Sequence, residues 1–348
     1  MTPYSTTDDL RSDWKALIER EPDLRARDAA DGLGVSEAEL VAAECGVTST
    51  RLGDNWGDLL LDLEGLGEVM ALTRNDAFVH EKVGRYTDAR VFPDHHMGRT
   101  LGEDIDLRIF FNHWSFGFAV QIETPTGTRR SLQFFDEYGT AVHKTHLRDE
   151  SAVEHFDHMV ETYRHNAPAG GIEPEPGPQK KETTTDREVD VDALRDAWSG
   201  LTDTHDFIFL LRDFGVDRQQ AFRLVGTDFA RPAAPDDLCT VLEGASAAKL
   251  PIMIFVGNRG CLQIHTGPIH RLKEARGWYN VLDPGFSLHV KMEKVASAWV
   301  VRKPVENDEV HSVEFFDERG DVVCYLFGER KEGRTERSSW RELVAGIG

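Results

Sequence analysis

Of the fourteen histidines in the chain, His205 has the most suggestive neighbours. At helical spacing Leu194, Trp198, Leu201, His205 and Ile208 or Phe209 share one face, so the spacing predicts an imidazole on an apolar, aromatic-rich stripe. Two chemistries are open to such a ring. It can be a core histidine bonded to a backbone carbonyl, or a neutral imidazole acting as axial ligand to a flat metal macrocycle walled by the aromatics. Arg108, in Ile105-Asp-Leu-Arg-Ile-Phe-Phe-Asn-His-Trp114, alternates onto one strand face with Phe110, Asn112 and Trp114. It is either a stem lying along a sheet with its head in water, or a charged donor facing a ligand. Arg218, in a helix's first turn, opposes the helix dipole and wants a reason. With Lys303 and Arg330 it makes a possible anion-binding set, although each alone reads as a surface charge.

Other histidines carry weaker signals. His80 suits a strand residue beside Glu81 and Lys82, or a second ligand. His155 and His158, with Glu154 and Asp157, suit a solvated helix face better than zinc. Asp94-His95-His96-Met97 reads as a loop, and Asn258-Arg-Gly260 and Asp283-Pro-Gly285 as turns. Cys45, Cys239, Cys261 and Cys324 form no CxxC pair and read as buried thiols.

Several function classes are excluded by pattern. The chain has no GxxxxGK[ST] loop, no GxGxxG after a strand, no GxSxG elbow and no HExxH. With 61 acidic against 40 basic residues, the formal net charge is −21, which repels phosphate backbones and anionic lipid. Nucleic-acid partners and membrane insertion are therefore not expected, and an anionic ligand must be met by a few chosen cations. The opening residues lack a basic segment followed by an apolar one, so a cytoplasmic protein is expected.

The elements that position these residues repeat. Ser131-Leu-Gln-Phe-Phe-Asp-Glu-Tyr-Gly139 returns 181 positions later as Ser312-Val-Glu-Phe-Phe-Asp-Glu-Arg-Gly320. Ile105–Arg108 overlies Phe286–His289 at the same offset, while Met70, Asn75 and Gly84 overlie Met253, Asn258 and Gly267 at 183. Trp14 and Leu17 overlie Trp198 and Leu201. Helix starts repeat too: Ser36 with Glu39 is a capping box, and Asp217 with Gln220 offers the same chemistry. Runs such as Phe116–Ile122 and Ala298–Val301, broken by turn signals, predict antiparallel hairpins after each set of helices. The plan is α+β, duplicated. Residues 1–166 form the first copy, a Pro- and Gly-rich linker spans 167–190, and 191–348 form the second. The first copy has no histidine before His80, so His205 breaks the symmetry of the pair.

Over nearly the whole chain, apart from the linker and the extreme termini, and most specifically in four segments, the chain resembles the bacterial hemin-degrading factor family of cytoplasmic, HemS/ChuS/HmuS-like haem utilisation proteins. They are Trp198–His205, Phe255–Gly267, Trp299–Pro304 and Ile105–Asn112. The resemblance implies two large antiparallel sheets stacked centrally with helices flanking them, and one haem in a cleft between the halves. It implies His205 as the proximal iron ligand, Arg108 as the distal arginine, and Arg218, Lys303 and Arg330 as cations for the propionates. His80 matches a histidine suggested as a secondary haem contact. The family often has tyrosine where this chain has Phe327, and glutamine where it has Tyr325. One phenolic bond to a propionate is thus lost or moved to Tyr325. The activity implied is haem uptake with either oxidative ring opening and iron release, using outside electrons, or delivery to a separate haem oxygenase. A haem importer and a reductase are the further partners implied. Arginine is too poor a base to bind iron, but Arg108 can donate to oxygen, and cations pair with carboxylates by charge-assisted bonds.

Overall fold

A computed structural model describes residues 4, 6–22, 24–166, 171–177, 185–330 and 335–348. Its strands form two nine-stranded antiparallel sheets. The first runs Ser49–Leu52, Phe116–Thr124, Gly127–Phe135, Ala141–Leu147, Val69–Arg74, Phe78–Gly84, Phe286–Val290, Trp278–Asp283, Leu272–Ala275. The second repeats that order one copy later: Ala230–Ala233, Ser297–Val305, Asp308–Phe316, Val322–Gly328, Ile252–Gly257, Cys261–Gly267, Asp106–Phe110, Met97–Leu101, Arg90–Phe92. Each sheet thus takes six strands from one copy and three from the other. The α+β plan and the duplication read from the sequence are both present.

Contacts divide the chain into two compact units that trade short pieces. Unit 1 is Met1–Arg74, Glu81–Pro178 and Gly257–Gln263; unit 2 is Asn75–His80, Gln179–Val256 and Ile264–Gly348. The traded pieces are held by a matched pair of asparagines. In unit 2, Asn75 Oδ1 accepts from the amides of Ala77 (3.0 Å) and Phe78 (2.8 Å), and its Nδ2 donates to the Val323 carbonyl at 2.8 Å. In unit 1, Asn258 Oδ1 accepts from Gly260 (3.0 Å) and Cys261 (2.9 Å), and its Nδ2 donates to Val142 at 2.8 Å. Asparagine suits both places because one side chain supplies an acceptor for a turn and donors for a neighbouring strand. The Asn258 turn expected from the sequence is therefore also a brace.

Local signals shape each unit as predicted. Ser36 and Glu39 complete a reciprocal capping box ahead of helix Glu37–Ala43. Asp217 accepts from Gln220 N at 2.7 Å ahead of helix Arg218–Val225, but the Gln220 amide donates to Asp186 (2.7 Å), leaving one half of the box visible. Asp136 and Asp317 close equivalent hairpin turns, each accepting two backbone amides, with Gly139 (φ +74°) and Gly320 (φ +85°) supplying the left-handed residue. The unit 1 core centres on Trp114, stacked on Phe134 at 4.3 Å, its indole donating to the Gly260 carbonyl at 3.0 Å. A Cβ at Gly260 would lie 2.6 Å from Val142 and 3.0 Å from Trp114, so only glycine fits there.

That core also encloses polar groups. His143 bonds Thr73 through Nδ1 (2.9 Å) and Tyr86 through Nε2 (2.8 Å), and the Tyr86 hydroxyl reaches Thr145 at 2.7 Å. Burial holds the imidazole near pKa 3 and pushes the Tyr86 phenol upward. The second copy places Val256, Cys324, Ile269 and Leu326 at these positions, all apolar and buried.

The proposed linker is described only at 171–177 and 185–190; the rest of 167–190 lies outside the described residues. Within it Ile172 packs in the unit 1 core and Glu175 N donates to the Glu137 carbonyl at 2.8 Å.

Candidate functional site: an exposed imidazole and a buried carboxylate flanked by cations

The continuous helical stripe predicted through His205 does not form. Helix Val191–Ser199 stops at Gly200, and a 3-10 turn, Thr204–Asp206, leads into a second helix, Phe207–Phe214. Asp203 is the cause: its Oδ1 accepts from His205 N at 2.8 Å and starts a new helical segment. Trp198 stays in the core, donating to the Arg302 carbonyl at 3.0 Å and meeting Phe207 edge-on at 4.6 Å. His205 instead points outward, with its side chain 90% exposed. It is not a core histidine.

Its orientation is fixed from behind. Nδ1 lies 2.7 Å from Asp203 Oδ1, which as a carboxylate can only accept, so Nδ1 carries a proton and the neutral ring presents its lone pair on Nε2. The bond from the His205 amide holds the Asp203 carboxyl below the usual range, helped by the His205 ring and by the charge of Arg330. A carboxylate behind an outward imidazole is how proteins aim metal-binding histidines. Ile208 and Phe209, one turn along, are 63% and 50% exposed, large apolar side chains left open to solvent.

The cations come together in the same unit. Arg218 donates to Glu314 Oε2 at 2.8 Å, Lys303 Nζ to Oε1 at 2.7 Å, and Ser312 Oγ to Oε1 at 3.0 Å. Glu314 has no exposed surface. Burial alone would raise its pKa, but the two cations outweigh that and hold it at about 2. This answers why an arginine occupies a helix's first turn: it is paired. Lys303 stands 4.6 Å and Arg218 5.0 Å from the Phe207 ring centroid, two residues from His205. Tyr325 and Phe327 project from one face of strand Val322–Gly328, 6.4 Å apart, with Phe255 edge-on to both. Arg218 also lies 5.3 Å over the Tyr325 ring. Arg330 is exposed near Asp203, as that carboxylate's lowered pKa records. Imidazole, half-buried aromatics and cations make a donor set suited to an apolar plate bearing carboxylates.

Arg108 lies in unit 1, on strand Asp106–Phe110. Its guanidinium bonds the Asp106 carboxylate and reaches the Leu107 carbonyl at 3.1 Å, with a third of the side chain exposed. Phe110 shares its face, but Trp114 does not. A 3-10 turn at Phe111–His113 breaks the alternation and sends Trp114 into the core. His80 lies in strand Phe78–Gly84, as one of its two readings expects, and is wholly buried with its ring 5.0 Å from Phe286. Among the described residues no group of acidic, histidine and cysteine side chains could hold a metal ion, and His155 bonds the Asp62 carbonyl at 2.9 Å. The four cysteines are free, and no helix among the described residues is long and apolar enough to cross a membrane.

Sequence reasoning missed Asp203 and Glu314. Asp203 stands three residues after Gly200 and four before the apolar run that starts at Phe207, an N-cap signal overlooked inside an assumed stripe. Glu314 stands in the quoted repeat where the first copy has Gln133.

The haemin-degrading HemS.ChuX domain matches residues 34–163 and 215–347, once in each copy. This chain belongs to that family. It is 39% identical over 327 residues to the hemin transport protein HmuS of Yersinia pestis, covering 93% of each chain. The crystal structure of holo-PhuS, a heme-binding protein from Pseudomonas aeruginosa, superposes with a TM-score of 0.95 at 43% identity, covering 99% of both chains. The heme degrading enzyme ChuS of Escherichia coli O157:H7 gives 0.88 at 33% identity, covering 98% of this chain and 99% of the other.

Proposed function

We propose that this member of the family binds haem through His205 and serves haem utilisation in the cytoplasm, opening the ring oxidatively and releasing the iron. The observation that carries the reading is the exposed His205 imidazole, aimed by Asp203, beside a cluster in which cations outnumber carboxylates. Haem, as the bound substrate, supplies the iron and the porphyrin on which oxygen chemistry takes place. The chain's own residues bind and orient it. His205 offers Nε2 to the iron, Arg218, Lys303 and Arg330 meet the propionates, and Tyr325 and Phe327 supply an apolar wall with one hydroxyl. Arg108 is the proposed donor to oxygen. Electrons come from a separate reductase. The test is titration of the purified protein with hemin, expected to give about a 1:1 complex with a sharp Soret band. Failure to form it, or a band unchanged in His205→Ala, refutes the reading.

A second reading is delivery of intact haem from an importer to a separate haem oxygenase. It is favoured by the exposure of His205, since an axial ligand at the surface can be reached by the acceptor's own ligand. Incubating the haem complex with reductant, oxygen and catalase separates the two. Ring-opened product formed despite the catalase favours the enzyme, and intact haem favours the carrier.

A further inference from the structure

The repeat provides an internal control for the buried carboxylate. At offset 181, Arg218, Lys303, Glu314 and Tyr325 overlie Glu37, Ile122, Gln133 and Lys144. The first copy solves the packing problem neutrally. Glu37, placed favourably at its helix start, pairs with Lys144, while Gln133 Nε2 donates to Ser131 Oγ at 3.0 Å. Ser312 and Glu314 keep the Ser131–Gln133 geometry, so the fold accepts a neutral amide at this place. The second copy nonetheless carries two cations around one carboxylate, one of them set against a helix dipole. The fold does not need that imbalance.

We infer that Glu314 is a positioning residue, an internal counter-ion that keeps Lys303 charged and both Arg218 and Lys303 aimed, leaving one net positive charge for a carboxylate of the bound ligand. The ligand's identity rests on the haem reading; the counter-ion role does not. The titratable and charged groups facing Glu314 are Arg218 from helix Arg218–Val225, Lys303 from strand Ser297–Val305 and the Tyr325 phenol from strand Val322–Gly328. Burial and the neighbouring Arg218 both push the Lys303 ammonium toward losing its proton, and Glu314 opposes them. Glu314→Gln removes that opposition while keeping size and hydrogen-bonding capacity.

The first measurement uses ligand-free, 15N-lysine-labelled protein, with the Lys303 signal assigned by its loss in Lys303→Met. The Lys303 midpoint is expected to lie at lower pH in Glu314→Gln than in the wild type, because burial and Arg218 are then unopposed. Identical titration in both overturns the inference while leaving the haem reading intact. The second measurement compares affinities for hemin and hemin dimethyl ester. Their ratio is expected to be flat with pH in the wild type below its own Lys303 midpoint. In Glu314→Gln it should fall, by up to about tenfold per pH unit above the new Lys303 midpoint, and it should be flat again in Glu314→Gln/Lys303→Met. If Lys303 titrates as expected but hemin and its ester bind alike, the carboxylate-ligand reading fails and the counter-ion stands. Should Glu314→Gln alone not fold, the double variant restores folding if charge imbalance is the cause; a double variant equally unfolded overturns the role.

Discussion

A single carboxylate oxygen, Asp203 Oδ1, receives both the backbone amide of His205 at 2.8 Å and its ring Nδ1 at 2.7 Å. Backbone and side chain are thus fixed by one atom, which is why a nine-tenths exposed imidazole can still have a defined direction. Asp203→Ala is expected to weaken hemin binding about 10–100-fold, the usual cost of losing the partner behind a metal-binding histidine. His205→Ala should cost more and shift the Soret band. Equal affinities for wild type and Asp203→Ala in a spectral titration would contradict the aiming role.

Arg108 is held by Asp106 and the Leu107 carbonyl, without needing a ligand to order it. Arg108→Ala is expected to retain about 1:1 haem binding and to slow ring opening with ascorbate or a reductase by about tenfold or more. Unchanged turnover in a single-turnover absorbance assay removes Arg108 from the chemistry.

Lys303→Met leaves Glu314 with one cation and takes away one proposed propionate partner. Hemin affinity should fall by about tenfold, while affinity for the dimethyl ester should change little. Equal losses for both would mean that Lys303 supports the fold and not the carboxylate.

His143 ties stability to acid. Its folded pKa of about 3 lies below the ordinary 6.5, so the unfolded chain binds the extra proton between those values. The stability from keeping it neutral is fully present above about pH 6.5 and is lost as pH falls, by up to about 1.4 kcal/mol per unit, until about pH 3. His143→Gln should be less stable at pH 7, because Tyr86 and Thr73 lose a fitted partner, yet show a shallower decline toward pH 4. Urea melts across that range check the slope; an unchanged slope would assign the acid sensitivity elsewhere.

The duplication, the helix starts at Ser36 and Asp217 and the hairpin turns were legible because each rests on local chemistry repeated at a fixed spacing. Where periodicity was extended across a break, it failed. His205 was assigned to a stripe that Gly200 and Asp203 interrupt, and Trp114 to a strand face that a 3-10 turn ends. Both errors share a cause: a short cap or turn outweighs the hydrophobic period it interrupts. The pairing of Arg218 with Glu314 joins positions 96 apart in the chain, so no local pattern could announce it. His80 shows the opposite limit, since a polar residue type does not reveal that its ring is packed away from solvent.

The asparagine braces join residues of one copy to residues of the other. Asn75 is made by the first copy but used by the second unit, and Asn258 is made by the second but used by the first. Cleavage at a protease site engineered into 171–177 should therefore yield two fragments that co-elute, each still holding a loop on loan. Neither fragment expressed alone would own a complete core. Each copy therefore completes a turn in the unit built mainly from the other.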